Sequence, residues 1–381
     1  MEHKLVNWVD GMNVSKAHQI QTEDFFLDAL RGNQAIRLTH YNYGLLPIVD
    51  KDKPSNDFHI GEQGADRVEI TLRRCHAVTA GGYRIDYEPK EGEHMMCNFA
   101  IESDKGSASG NNTVNTRDIV LSINPFRRIP TGEPDMDETP PRHPDTEPTY
   151  TLTAMPTGEI IPEKLGKYHL VIGRIRCKGQ RWEVDGNYIP PCTTMSSYLD
   201  LVNYCDRFSI YMTKIEQASK SIIEKVQNQQ KTPDIAINVN AICRDIMRYI
   251  ATIYFSYRNM GKTMEPIRIV DYFASLAHIC QCSIGFISKD GKEEMLKYFY
   301  DWNDITPGVF ESILSETASI IYNHNSIRES MLNMERFLNI FSELWTTLSL
   351  LEYIGQTKEN IAVTVKSGRQ EDTTSTWSVI D

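Results

Sequence analysis

Between Leu201 and Val226 the apolar residues fall at a spacing that only a helix can use. Leu201, Cys205, Phe208, Met212, Ile215, Ser219, Ile222 and Val226 are separated by alternating steps of four and three. That is an a/d heptad seam of more than three heptads, with Ser219 as its polar interruption. A seam of this length has to be covered. Antiparallel neighbours in the same chain can cover it, or identical helices from other copies can, and the pattern leaves both readings open.

The rest of the C-terminal half keeps the helical period. Thr232-Pro233-Asp234 stops the first helix and opens a second, which carries Val239, Ile242, Ile246, Tyr249 and Ile253 and ends at Gly261. Pro266 opens a third with Ile269, Tyr272, Phe273, Leu276, Ile279 and Cys280. Thr306 before Pro307 reads as an N-cap with proline at the first helical position, ahead of Phe310, Ile313, Leu314 and Ile321. Ser326 and Glu329 form a capping box before a second heptad seam, Ile327, Met331, Met334, Leu338, Phe341, Trp345 and Leu348, which Gly355 stops. The polar stretch after it reads as a tail, in which the alternation of Ile361, Val363 and Val365 allows a short added strand.

Before Pro190-Pro191 the period is two. Val68, Ile70 and Leu72 alternate with polar residues, Gly81-Gly82 separates them from Tyr83, Ile85 and Tyr87, and Ile119, Leu121 and Ile123 repeat the pattern. Leu170 to Ile175 and Arg181 to Val184, joined through Lys178-Gly179, read as a further hairpin. The expected class is α+β, an N-terminal antiparallel β-sandwich followed by a C-terminal helical bundle. The stretch from Asn124 to Pro162 interrupts the β pattern. It holds nine of the 17 prolines, and inside its acidic run Glu133, Asp135, Asp137, Glu138, Asp145 and Glu147 are answered only by Arg142. It reads as an exposed, acidic, proline-rich loop. The expected division is residues 1–192, 193–325, 326–355 and a tail at 356–381.

Composition narrows the function. A chain of 381 residues, 40% hydrophobic and 24% charged, has enough apolar residues for a large core. Its net charge of −11 argues against phosphate-backbone binding and against a polybasic membrane surface. No stretch reads as a secretory signal or a membrane span. Eight scattered cysteines, mostly within apolar segments, read as buried thiols in a reducing cytoplasm.

Catalytic and metal motifs are not found. The string from Ser256 to Thr263 resembles a phosphate loop, but serine replaces its first glycine and a helix precedes it. Cys280 and Cys282 form a C-x-C pair near His278, yet no second pair follows and the two positions point to different sides of a helix. Neither a metal nor a cofactor is expected. An active site in the β-rich half built from His76, His94 and Cys97 is the enzymatic alternative.

The opening segment carries a resemblance. It reads Trp8-Val-Asp-Gly11-Met12, then His18-Gln19-Ile-Gln21, then Tyr43-Gly44-Leu45-Leu46. This resembles the start of the TssK family, the trimeric baseplate component of bacterial type VI secretion systems. Tyr188-Ile189-Pro190-Pro191 is similar to the family's stretch leading into its helical region, and Glu265-Pro266 with the following helix is a third match. The resemblance implies a shoulder sandwich like that of phage receptor-binding proteins, a trimerising helical neck, and a non-enzymatic adaptor linking the baseplate wedge to the inner-membrane complex at its cytoplasmic face. It implies partner contacts at Trp8, Gly11, Met12, His18, Gln19 and Gln21, with Phe25 and Phe26 as further apolar anchors unless this stretch packs as an internal strand and turn. It also implies an oligomer seam along Leu201, Cys205, Phe208, Met212, Ile215, Ile222 and Val226. Many family members carry a separate head domain where this sequence has one long helix and a polar tail. A phage-like tail or receptor-binding protein is the alternative within the same structural class.

Overall fold

The structure is a computed structural model that describes residues 3–50, 53–63, 67–89, 92–100, 115–159, 165–179 and 181–356. Helix and sheet are both present, and among the described residues the sheets are antiparallel and lie in the first half. The alternation expected at Ile361, Val363 and Val365 lies outside the described residues.

The chain divides into two units. The first contains residues 1–205, 260–269 and 322–331, and the second residues 206–259, 270–321 and 332–381. The cut expected near residue 192 therefore falls inside the first unit.

In the first unit, α1 (Lys16–Ala35) precedes two sheets. One sheet is built on β3 (Arg67–Val78), which pairs with β1 (Gly44–Leu45), β2 (Asn56–Gln63), β4 (Arg84–Tyr87) and β5 (Met95–Ala100). The other has the order β7 (Asp145–Pro156), β6 (Thr116–Thr131), β8 (His169–Lys178), β9 (Arg181–Val184). The period-two reading of β3 holds, with a change of parity. Val68, Ile70 and Leu72 are buried, and then Cys75 and Ala77. Asp57 pairs with Arg74 but Phe58 with Leu72, so Arg73 is an extra residue, and this bulge turns the later odd positions inward. The two sheets meet through Phe99 and Trp182, whose rings contact edge-on at 5.1 Å. They also meet where the Phe58 ring fills the space a side chain at Gly173 would need.

Two expectations are corrected here. The alternative of an internal strand and turn does not describe the opening segment, which turns at Gly11 and then forms helix α1 from Lys16. Its cap is Ser15, whose backbone N–H donates to His18 Nδ1 at 3.2 Å, a histidine in the place of the usual capping-box carboxylate. The proline-rich stretch from 124 is not a free loop. Ile119 to Asn124 pair with Thr149 to Ala154, and Arg128 to Thr131 pair with Asp145 to Pro148. The prolines fit because Pro125 lies in the register break between Asn124 and Arg128, while Pro148 and Pro156 lie on the edge strand β7, where a missing N–H need cost no ladder bond. The turn between these strands remains exposed, and residues 160–162 lie outside the described residues.

Two of the motifs that carried the family resemblance, Tyr43–Leu46 and Tyr188–Pro191, meet within this unit. Gly44, at φ +113°, lies so close to the backbone of Pro191 that a Cβ would sit 2.0 Å from the Pro191 carbonyl oxygen. Leu45 N–H donates to Pro191 O at 2.8 Å and Thr193 N–H donates back to Leu45 O at 3.0 Å. His324 is buried beside them. Its Nε2 faces the Tyr43 carbonyl at 2.8 Å and so must carry the proton, while Nδ1 meets the Tyr322 hydroxyl at 2.8 Å. Arg328 closes the junction, donating to Gly186 O at 2.7 Å and to the Asp200 carboxylate.

The second unit is helical. Its helices come from α2 (Leu199–Asn228), α3 (Asp234–Met260), α4 (Pro266–Gly285), α5 (Lys289–Asn303), α6 (Pro307–Ala318) and α7 (Ile327–Leu350). α5 was not legible in the heptad pattern. α6 stops at Ala318, so Ile321, expected on its apolar face, is exposed instead. The rings of Phe208 and Phe273 meet at 5.3 Å, and Phe341 stacks on Trp345 at 4.1 Å. Arg207 binds Glu335 at 2.6 Å, and Lys225 Nζ caps the end of α7 through Ser349 O at 2.6 Å. Ser219 lies against the buried Cys243 thiol. Burial pushes that thiol up to about 12.

The oligomer-seam assignment is corrected by burial. Leu201, Cys205, Phe208, Met212, Ile215, Ile222 and Val226 are all buried in a single copy, as is the α7 seam. A residue with no accessible surface has nothing to offer a second chain, so intrachain packing wins. Phe208→Ala is expected to cost about 3 kcal/mol or more by opening a cavity. Chemical denaturation should show that loss, and light scattering should show no change in mass.

His324 gives a pH prediction. Burial holds its pKa down to about 4 against an ordinary 6.5, with the Tyr43 hydrogen bond opposing part of the shift. The unfolded chain therefore binds the proton more readily, and stability falls as pH drops from 6.5 to about 4. The full effect is about 3 kcal/mol. Denaturation curves across that range should show a shallower pH slope in His324→Gln than in the parent chain.

Candidate functional site

Helix α1 is amphipathic in the reverse sense. Asp24 and Asp28 are buried, while Phe26, Leu27 and Leu30 are exposed, Leu30 to 65%, as is Ile36 at the helix C-cap. A buried carboxylate is tolerable only when paired. Arg128 of β6 supplies the pairing, with Nη2 at 2.5 Å from Asp24 and Nη1 on Glu23. Asp28 accepts from Arg31 at 2.9 Å and from the His3 backbone N–H at 3.3 Å. The Arg31 guanidinium lies 5.4 Å above the Tyr83 ring. Burial is the main cause holding the Tyr83 hydroxyl well above its ordinary range. Charge thus fixes the helix to the β structure, and the apolar side is left outward.

That side borders a groove of 840 Å³. Phe26, Leu27 and Leu30 form one wall; Val78, Tyr83, Ile123, Pro125 and Pro148 form the other. Glu23, Arg31, Arg84, Arg128 and Glu147 rim it. An apolar floor with a mixed-charge rim is the anatomy of a protein-binding surface.

The residues expected from sequence to contact partners lie before and on the same helix. Trp8 is 49% exposed and meets the His18 ring at 6.1 Å. Gly11, at φ +79°, turns the chain between Val9 and Met12, where Met12 N–H donates to Val9 O at 3.2 Å. Gln21 Nε2 donates to Lys4 O at 3.2 Å, which holds the leading strap against α1. Gln19 is exposed, and Met12 is half-buried. His18 caps the helix, so its role is local structure. The groove residues Leu27, Leu30, Tyr83 and Pro148 were not singled out as site residues, because α1 was not recognised as a helix.

His76, named in the enzymatic alternative, is engaged by carboxylates. His76 Nδ1 meets Asp86 at 2.6 Å and its Nε2 meets Glu88 at 3.5 Å. Among the described residues no hydrogen bond joins His76 to His94 or Cys97. Burial pushes the Cys97 thiol up to about 11, away from nucleophilic use. The phosphate-loop-like string is helical to Met260, followed by a short turn at Gly261–Thr263. Among the described residues no three metal-ligating groups converge.

No protein-family model matches the sequence, and no curated protein matches it. Solved structures do match. A crystal structure of TssK superposes with a TM-score of 0.51 at 12% identity, over 91% of this chain and 70% of that one. The chain has the fold of TssK. A chain of the baseplate complex from the type VI secretion system matches with a TM-score of 0.50 at 14% identity, over 91% of this chain and all of that one. Within the TssK fold, the sequence similarity at the opening segment falls on the strap and on α1, next to the groove.

Arg128→Ala is expected to leave Asp24 buried without its cation and to weaken α1 docking by about 2 kcal/mol. Hydrogen exchange should then quicken in residues 16–35 while β3 stays protected.

Proposed function

We propose that this chain is a non-enzymatic structural adaptor of a type VI secretion baseplate. The observation that carries the reading is the outward apolar face of α1 over its groove, in a chain with the TssK fold. In this reading the two sheets form a shoulder sandwich, and α1 with its strap docks on other subunits of the baseplate wedge. The helices after residue 193 form a neck bundle, and the assembly links the wedge to inner-membrane proteins at the cytoplasmic face. Among the described residues no helix is long and apolar enough to cross a membrane, which suits a peripheral attachment.

The adaptor works as a homotrimer in this proposal. Because the heptad seam is buried within one copy, the contact between copies falls to exposed apolar residues such as Ile237 and Phe255 of α3. Three surfaces on one symmetric particle raise the effective concentration of each docking contact, which is the physical use of a trimer in such a machine.

Light scattering is expected to give three times 43.7 kDa, about 131 kDa. A double change, Phe26→Asp with Leu30→Asp, is expected to abolish capture of purified type VI baseplate subunits while circular dichroism and mass stay as in the parent. Undiminished capture by that variant rejects the groove as the docking surface. A strict monomer at micromolar concentration rejects the trimer.

A further inference from the structure

A second groove, of 940 Å³, lies in the first unit between the β4–β5 region and the β6–β7 ribbon. Tyr87 and Tyr150 line it, and their rings meet edge-on at 5.6 Å. Both hydroxyls are engaged. Tyr150 Oη accepts from the Asp86 N–H at 3.3 Å, and Tyr87 Oη accepts from the Met95 N–H at 2.7 Å. What the two tyrosines offer the groove is therefore ring surface. Pro89, Pro130, Pro134 and Pro148 line it as well.

The charge in this lining has one sign. Asp86 and Glu88 are answered from β3 by His76 and Arg74. Glu93, Glu133 and Glu147 are exposed and form no ion pair among the described residues. The described lining holds no lysine or arginine, and the Nδ1 of its histidine, His143, is engaged by the Gly132 carbonyl at 2.8 Å. Three unanswered carboxylates beside two tyrosine rings select a cation, and one that can also stack: a guanidinium meets carboxylates with paired N–H groups and lies flat on aromatic rings. The backbone of the groove narrows the choice further. Its four prolines have no N–H, and the Asp86 N–H of β4 is already taken by Tyr150, so an added strand would find few donors here. A polyproline II segment needs no ladder, keeps its backbone solvated and packs its rings on aromatic side chains.

We propose that the groove between Tyr87 and Tyr150 binds an extended, proline-rich, arginine-bearing segment of another protein. Prolines of the segment lie on the two rings, and its arginines meet Glu93, Glu133 and Glu147. The site is separate from the apolar face of α1, although Glu147 and Pro148 border both grooves. It does not rest on the docking role proposed for that face.

The test titrates the full chain into a fluorescently labelled peptide of three Arg-Pro-Pro repeats and reads anisotropy. Saturable binding of one peptide per chain is expected. Glu93→Lys with Glu133→Lys is expected to weaken it by about tenfold or more, because two attractions become repulsions. Glu293→Lys with Glu294→Lys, on exposed positions of α5, makes the same change in net charge and is expected to stay within about twofold of the parent. A peptide with neutral citrulline for each arginine is expected to bind about tenfold more weakly or worse, and so is one with Gly-Ser for each Pro-Pro. The Phe26→Asp, Leu30→Asp variant is expected to bind the peptide as the parent does, which separates this site from the α1 face. No saturable binding, equal losses in the two lysine variants, or undiminished binding of the citrulline or Gly-Ser peptide overturns the proposal. The lysine variants change exposed side chains, and circular dichroism identical to the parent would confirm that the fold is intact.

Discussion

The close approach of Gly44 to Pro191 is the constraint around which the first unit is built. A side chain at 44 would overlap the Pro191 carbonyl, and any other residue would also resist the positive φ. That contact lets Leu45 exchange backbone bonds with Pro191 and Thr193, which joins the sheet containing β3 to the start of the helical region. His324 then seals the junction from the far end of the sequence by binding the Tyr43 carbonyl. Segments near residues 44, 191 and 324 meet at one place, so a fault in any of them reaches the others.

Charge does elsewhere in this unit what apolar burial does in most helices. α1 is fixed by Asp24 and Glu23 on Arg128 of β6, while Asp28 is paired within the helix by Arg31. A helix docked in this way can turn Phe26, Leu27 and Leu30 to the outside, at the cost of desolvating two carboxylates. Such an arrangement makes sense where a partner supplies the missing cover. It also explains why the groove is lined from three directions, by the helix, by the β3–β4 region and by the turn at Pro125.

Much of the fold was legible. The heptad spacings located α2 and α7, and the cap at Thr306-Pro307 placed the start of α6, because helix periodicity and caps are local properties. β3 was legible as alternation, but its bulge at Arg73 was not, since a bulge shows only in the register against β2. α1 was missed because its apolar residues face outward and its acids inward, which defeats a rule that assigns acids to solvent. The β6–β7 ribbon was missed because prolines there sit at an edge and in a register break, sites that composition cannot distinguish from a loop. Of the proposed docking site, Trp8 and Met12 were legible through the resemblance and Phe26 as an apolar residue of the same stretch, while Leu30, Tyr83 and Pro148 come together only in the folded unit.

By itself, the sequence determined the helical elements of the second half other than α5, the period-two core of the first half, and the three motifs that point to a TssK-like chain. Only the tertiary structure decided what covers the heptad seams. Spacing says that a face must be buried and not what buries it, and here neighbouring segments of the same chain take every seam residue out of solvent. Only the tertiary structure, too, decided which side of α1 faces out, because that depends on Arg128, more than a hundred positions along the chain, meeting Asp24 across the fold.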